Sequence, residues 1–299
     1  MPELPDILLY LHALRSRIVG HVVQHVRLAS PFLLRSIAPP PSAVEGKAIV
    51  DLQRLGKRIV LEAEGEIFMV FHLMIAGRFR WKPPQTKIPG KIGLLGIDFD
   101  HGTLLMTEAG TKRQASLHIV EGRSALAQHD PGGVQVLDIT LPEFAEALQA
   151  ENHTLKRALT DPHVFSGIGN AYSDEILHAA GLSPFKQTQS LQDAEVRQLY
   201  DATRQTLTTW IERLRAQAAD GFPEKVTAFH PEMAVHGKYG HACPRCGSPV
   251  QRVVYAANEA NYCATCQTGG RLLADRSLSR LLRDDWPKTV EELEKRRRG

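Results

Sequence analysis

Leu4, Ile7, Leu8, Leu11, Leu14 and Ile18 recur at three- and four-residue intervals, so the spacing predicts an amphipathic helix over residues 3–18. Pro5 fits its first turn, where a missing N–H costs little. From His21 to Val120 the pattern shortens to β-rich runs: HVVQHVRL, RIVLEAE, EIFMVFHL, GRFRW, LLGIDF, TLLMT and SLHIV. Pro- and Gly-bearing breaks at 38–41, 82–84 and 89–93 separate them. Short strands at this spacing predict an antiparallel sandwich or barrel. The PGG at 131–133 marks a boundary, after which LPEFAEALQA, LKRAL, AYSDEILHAAG and the stretch 191–217 return to helix spacing. Residues 221–241 read as a loop. The tail from Gly269 holds one further predicted helix, SLSRLLRDD, and a polar end, EELEKRRRG.

Composition adds limits. A chain of 299 residues with 43% hydrophobic and 23% charged residues is long enough for two domains with buried cores. No run of 18 apolar residues occurs, so no membrane partner is expected. Glu3 and Asp6 stand where a signal peptide needs positive charge, and a cytoplasmic protein is the expectation. The net charge of +3 is too small to argue for nucleic acid by itself, but its distribution is uneven. Between His236 and Arg283 seven Lys/Arg face two acids, Glu259 and Asp275, which is the footprint of a phosphate-binding face or of a solvated charged surface.

The cysteines narrow the chemistry. All four lie in Cys243-Pro-Arg-Cys246 and Cys263-Ala-Thr-Cys266, with 16 residues between the pairs. Each CxxC turn places two sulfurs on one ion, and the intervening stretch suits a β-hairpin. Soft thiolates in a closed tetrahedron predict one structural Zn²⁺ held by Cys243, Cys246, Cys263 and Cys266. Such a site has no open position, so it is assigned no part in a reaction.

The other end offers a reagent. Pro2 follows Met1, and loss of the initiator leaves a secondary amine; an α-amino group has an ordinary pKa of only about 7.7–8.0, well below that of a lysine. That amine can attack an aldehyde-like sugar carbon and form an iminium, with Glu3 beside it to move protons. A Met-Pro-Glu start alone defines no activity.

Three distant segments taken together say more: MPELPD at the start, Ser166-Gly-Ile-Gly-Asn170-Ala-Tyr-Ser-Asp-Glu-Ile-Leu in the middle, and CPRCG…NYCATCQ near the end. In this order and spacing, from Met1 to about Gln267, the chain resembles the formamidopyrimidine-DNA glycosylase / endonuclease VIII family. The resemblance implies an α+β multidomain protein: an N-terminal β-sandwich with a flanking helix over 1–135, a helix–two-turns–helix DNA-binding domain over 136–228, and a four-cysteine zinc finger over 229–270. Residues 271–299 form an extension outside it. It also implies a bifunctional DNA glycosylase and AP lyase of base excision repair, monomeric, with damaged DNA as partner. Pro2 is then the nucleophile, Glu3 the acid/base partner, and Lys57, in RLGKRIVLE, a phosphate contact at the lesion. Asn170 would meet a phosphate at a helix start. Lys156 matches a family lysine facing DNA. His72 and Ile75, in His72-Leu-Met-Ile-Ala-Gly77, Lys112 and Arg113, in Glu108-Ala-Gly-Thr-Lys-Arg-Gln114, and Asn258 in the finger hairpin complete the expected DNA-facing set.

The departures from the family pattern cluster in the parts that read damage. Asp6 replaces a Glu. Ile75 stands where the family has a gap-filling methionine. The 108–114 loop lacks the family's Arg/Phe wedge, so Lys112 or Arg113 takes that place. Asn258 replaces an arginine, and the segment before the finger is short. The pattern is compatible with an enzyme of altered lesion preference, with a pure AP lyase, or with a zinc-dependent protein that binds damaged DNA without excising bases.

Overall fold

The computed structural model describes residues 1–110, 112–219, 221–224, 226, 229–255, 258–274 and 287–298. It divides the chain into two compact units, residues 1–132 with 208–228, and residues 133–207 with 229–299.

The first unit begins with helix α1 (Leu4–Ile18), which starts where Glu3 caps it with Pro5 in the first turn. The strands of this unit, all antiparallel, form two sheets among the described residues. One has the order β2 (Ile49–Leu55), β3 (Arg58–Ala63), β4 (Ile67–His72), β8 (Ser116–Glu121). The other has the order β1 (His25–Leu28), β6 (Gly93–Asp98), β7 (Thr103–Glu108), β5 (Gly77–Lys82). Alternation sends Ile59, Leu61, Met69, Phe71, Leu117 and Ile119 from the first sheet and Phe79, Leu95, Ile97, Leu104 and Met106 from the second into one core with Ile7, Tyr10 and Leu14 of α1. A sandwich, rather than a closed barrel, is therefore the answer to the alternation in the sequence. Tyr10 meets Phe79 edge-on at 5.7 Å and Phe222 at 5.9 Å, so the segment after residue 208 seals the same core. Short helix α2 (Arg123–Ala127) covers the outer face of the first sheet through Leu126.

In the second unit α3 (Leu141–Gln149) starts at a Thr140/Glu143 capping box. Helices α4 (Leu155–Thr160) and α5 (Asn170–Ala179) follow. The long α6 (Asp193–Ala218) begins in this unit and ends in the other. The finger contributes a hairpin of β9 (Gln251–Tyr255) and β10 (Asn258–Tyr262), closed by α7 (Ala264–Thr268).

Beyond the finger, Leu272 N–H donates to the Lys288 carbonyl at 2.9 Å, and helix α8 (Val290–Arg298) follows. Leu272, Leu273, Val290 and Leu293 pack on Val253, Tyr262 and Phe185. The extension thus docks on the finger of its own chain. The expected helix SLSRLLRDD, residues 277–285, lies outside the described residues. Among those described, no helix is long and apolar enough to cross a membrane.

Candidate active site and nucleic-acid interface

The start of α1 builds the candidate reaction centre of the first unit. Pro2 and Glu3 are buried and non-helical, because the helix begins only at Leu4. Glu3 and Asp6 form a reciprocal capping box, in which the Glu3 N–H donates to Asp6 Oδ2 at 2.9 Å. The shorter carboxylate at position 6 is thereby occupied by the backbone of Glu3. Burial raises the Asp6 carboxyl to about 7, against the opposing Glu3 N–H bond and with help from the Glu3 charge. Burial also lowers the Met1 amino group, one residue ahead of Pro2, below its ordinary value; Glu3 and Asp6 oppose that shift, while Arg78 and Lys57 add to it. The amine, both carboxylates, Arg78 and Lys57 therefore share one electrostatic neighbourhood.

Asp6 carries a pH prediction. An acid whose folded pKa is raised binds more protons folded than unfolded, so its contribution falls as pH rises from about 4 to about 7 and stays lost above. Asp6→Asn keeps an oxygen for the Glu3 N–H and removes the ionisation. Urea midpoints of the variant should therefore decline less between pH 5 and pH 8 than those of the parent; parallel profiles would show that Asp6 is already ionised.

Lys57 sits with Gly56 in the β2–β3 turn, where φ of +58° at Gly56 favours glycine. His72 ends β4 opposite Arg58. Burial, then Arg58, Lys57 and His118, lower its imidazole to about 4, so it is neutral at pH 7. The cations around it make this corner attractive to a phosphate.

Two loops stand beside each other near this corner. In the first, Met74 takes φ of +51° and Ile75 is 66% exposed at the tip. Arg78 Nη1 braces the turn by donating to the carbonyls of Ile75 at 3.0 Å and Gly77 at 2.6 Å. Gly77 is required, since a Cβ there would lie 2.2 Å from the Leu73 carbonyl oxygen. The second loop is held by buried Glu108, which accepts N–H bonds from Gln114 at 3.0 Å and Ala115 at 3.3 Å. Lys112 and Arg113 are exposed on it, with Arg113 Nη2 donating to the Lys91 carbonyl at 2.6 Å. Gly110 lies against Ala76, so the apolar tip and the basic loop are neighbours.

The second unit carries Asn170, the first residue of α5, and the finger. Lys156 does not face outward as expected. It is 2% exposed, and its Nζ donates to the Asn170 carbonyl at 2.6 Å and to Asp174 Oδ1 at 2.5 Å. The other Asp174 oxygen lies 2.8 Å from His236 Nδ1 and accepts from Asn261 Nδ2 at 3.2 Å. Glu175 accepts the N–H groups of Ala234, Val235 and His236 at 2.8–2.9 Å. Lys156 thus fixes the start of α5 from inside, and Asp174 and Glu175 tie that helix to the finger. None of Asp174, Glu175, His236 and Asn261 was singled out from the sequence; the adjacent acids in AYSDEIL were the available signal. Lys156→Met should cost about 3–5 kcal/mol in urea unfolding, because it strands a buried carboxylate. A loss below about 1 kcal/mol would mean that Asp174 is satisfied without it.

The four cysteine sulfurs lie within 4.8 Å of one another, with Cys243–Cys266 at 3.9 Å and Cys246–Cys263 at 3.4 Å. Zn–S bonds of about 2.3 Å in a tetrahedron require sulfurs about 3.8 Å apart, so the donor set fits Zn²⁺. His178 Nε2 stands 3.2 Å from Cys243 Sγ. Asn258 opens β10, opposite Tyr255.

A sandwich opened by a buried Pro-Glu start, a helical unit with a glycine-led helix N-terminus and a four-cysteine finger match the architecture of the zinc-finger DNA glycosylases. Three family models match in turn: the formamidopyrimidine-DNA glycosylase N-terminal domain over residues 1–117, its H2TH domain over 134–219, and the zinc finger found in FPG and IleRS over 240–269. A formamidopyrimidine-DNA glycosylase of Thermus thermophilus is 32% identical over 282 residues, covering 90% of this chain and 100% of the relative. An uncharacterised formamidopyrimidine-DNA glycosylase-like protein of Mycobacterium tuberculosis is 40% identical over 152 residues, half of this chain and 94% of that one. In fold, a Lactococcus lactis FPG mutant in complex with Fapy-dG DNA superposes with a TM-score of 0.78 at 23% identity, over 89% of this chain and 100% of that one. The chain belongs to the formamidopyrimidine-DNA glycosylase family, DNA glycosylases with AP lyase activity in base excision repair.

Proposed function

We propose that Pro2, freed of Met1, is the nucleophile of a bifunctional glycosylase and lyase acting on an extruded nucleotide. The observation that carries this reading is the buried Pro2–Glu3 start, where burial, Arg78 and Lys57 lower the pKa of the Met1 amine one residue ahead, and the same surroundings would act on the Pro2 nitrogen once Met1 is removed. An amine that loses its proton easily near neutrality is a competent nucleophile. Its nitrogen attacks C1′ as the bond from C1′ to the base breaks, and the departing base takes a proton. O4′ then takes a proton as the C1′–O4′ bond breaks, opening the sugar to an iminium that acidifies C2′–H; loss of that proton to a nearby carboxylate breaks the C3′–O bond, and a second elimination, with loss of the C4′ proton, breaks the C5′–O bond. Glu3 is the group placed to move these protons. Lys57 and neutral His72 hold the phosphate beside the lesion, and Asn170 takes another at the start of α5. The zinc supplies no chemistry. It fixes the hairpin that carries Asn258.

The damage-reading parts support a substrate whose base is already poorly stacked. Ile75 offers an apolar tip but no aromatic ring enters, and Lys112 and Arg113 supply charge rather than a wedge. Extrusion costs a few kcal/mol from a good duplex and least from mismatched or single-stranded DNA. Borohydride added to the protein with abasic-site DNA should trap a covalent adduct at Pro2, located by peptide mass spectrometry. A panel of modified bases in single- and double-stranded DNA should show faster release from the single strand. Absence of any adduct on abasic DNA would favour the alternative of a damage-binding protein; an adduct with every base left intact would favour a pure lyase.

A further inference from the structure

His21, Asp100 and His101 lie far from the reaction centre along α1 and have no part in the proposed chemistry. His21 follows the end of α1, while Asp100 and His101 form the turn between β6 and β7. One nitrogen from each ring and one carboxylate oxygen lie within 4.8 Å of one another. His101 Nδ1 is 2.6 Å from Asp100 Oδ1, and His21 Nδ1 is 3.8 Å from the same oxygen. The two rings are 4.1 Å apart at the centroids, inclined by 40°. Both therefore aim the same nitrogen at one oxygen.

The second nitrogen of His101 decides what sits between them. His101 Nε2 lies 2.8 Å from the Arg17 carbonyl oxygen, which can only accept, so Nε2 bears a hydrogen. In a neutral ring Nδ1 is then a lone pair facing an ionised carboxylate, which is repulsive unless a cation is shared. A proton on Nδ1 would pair His101 with Asp100 alone, at their 2.6 Å separation, and would leave His21 Nδ1, 3.8 Å from the same oxygen, outside that bond. A metal ion serves all three donors at once. A ring N–H given to a backbone carbonyl is also the arrangement that orients metal-binding histidines. The Arg17 carbonyl belongs to the last turn of α1, where the helix dipole favours a cation.

We propose that His21, Asp100 and His101 form a second metal site, for a divalent transition ion of the Zn²⁺ or Ni²⁺ class, with solvent in the remaining positions. Two imidazoles select against Mg²⁺ and Ca²⁺, which take oxygen ligands. The site fastens the end of α1 to the β6–β7 turn. About 22 Å of helix, at 1.5 Å per residue, separates it from Pro2, so its effect is on stability rather than on turnover. Trp81 lies 5.5 Å from the His101 ring and serves as its reporter.

The test uses the untagged full chain with zinc already in its finger, titrated with Ni²⁺ while zinc release is monitored. The site predicts one bound equivalent of Ni²⁺ beyond the finger's zinc, saturable quenching of tryptophan fluorescence, and a raised melting temperature. Asp100→Asn, a change at an exposed turn, should weaken binding at least tenfold. His21→Ala with His101→Ala should abolish it. Both variants should keep the finger's zinc and abasic-site cleavage. Absence of quenching up to millimolar Ni²⁺, or equal binding by the parent and Asp100→Asn, would overturn the proposal. So would NMR showing a doubly protonated His101 ring at pH 7 in the presence of Ni²⁺.

Discussion

A chain that keeps residues ahead of Pro2 is expected to lose base release and strand cleavage together, by at least about a thousandfold, equivalent to about 4 kcal/mol of barrier. The reason is local. A peptide bond to any preceding residue turns the imino nitrogen into an amide, which is neither basic nor nucleophilic. Glu3 caps α1 and Pro2 is buried in the chain that still carries Met1, so the fold tolerates an added residue. Single-turnover assays on a defined lesion and on an abasic site, with the extended and processed proteins at equal zinc content, would check this. DNA binding should fall much less than the rate. Equal trapping by a verified, fully extended chain would remove Pro2 from the mechanism and return attention to side-chain amines such as Lys57.

Removing zinc is expected to have the second large effect. Structural Zn²⁺ in a finger supplies about 10–16 kcal/mol of binding free energy, and in modules of this size that is folding free energy. Cys243 and Cys263 pack with Val235 and Val250 in the finger's small core, so loss of the ion releases apolar contacts along with the sulfurs. The damage should spread. Glu175 holds the N–H groups of residues 234–236, and Asp174 holds His236 and Asn261, so a loosened finger leaves these buried acids short of partners. Hydrogen exchange after chelation, or in Cys246→Ser, should show lost protection over residues 234–270 and at the start of α5, with the sandwich unchanged. Affinity for DNA should drop at least tenfold. Unchanged protection in a protein shown to lack zinc would mean that the finger holds its shape without the metal.

Apolar runs served best where a strand or helix is deeply buried. The runs RIVLEAE, EIFMVFHL and SLHIV became β3, β4 and β8, and the helical stretches after residue 140 became α3 to α6. Strand β2 escaped notice because IVDLQRL lies at a sheet edge, where Asp51, Gln53 and Arg54 interrupt the apolar pattern. Short-range chemistry was equally legible: two CxxC turns can converge on one ion whatever surrounds them, and the sulfurs do converge. Lys156 shows where such reading ends. A lysine at the start of a helix looks solvated in sequence, and only the return of α5 and the finger places Asp174 over it. The same holds for Arg78, which reads as an alternating strand residue yet braces the Ile75 turn. Long-range partners decide such cases, and no local pattern encodes them.

The docked extension has a practical consequence. Leu272, Val290 and Leu293 roof the apolar side of the hairpin over Val253 and Tyr262, and the Leu273 N–H donates to the Tyr262 hydroxyl at 2.8 Å. Trimming the chain to the span of its shorter cousins would leave that side greasy and that hydroxyl without its donor. Preparations cut after Gln267 would clump on concentration, and expression designs should place any purification handle behind the final residue.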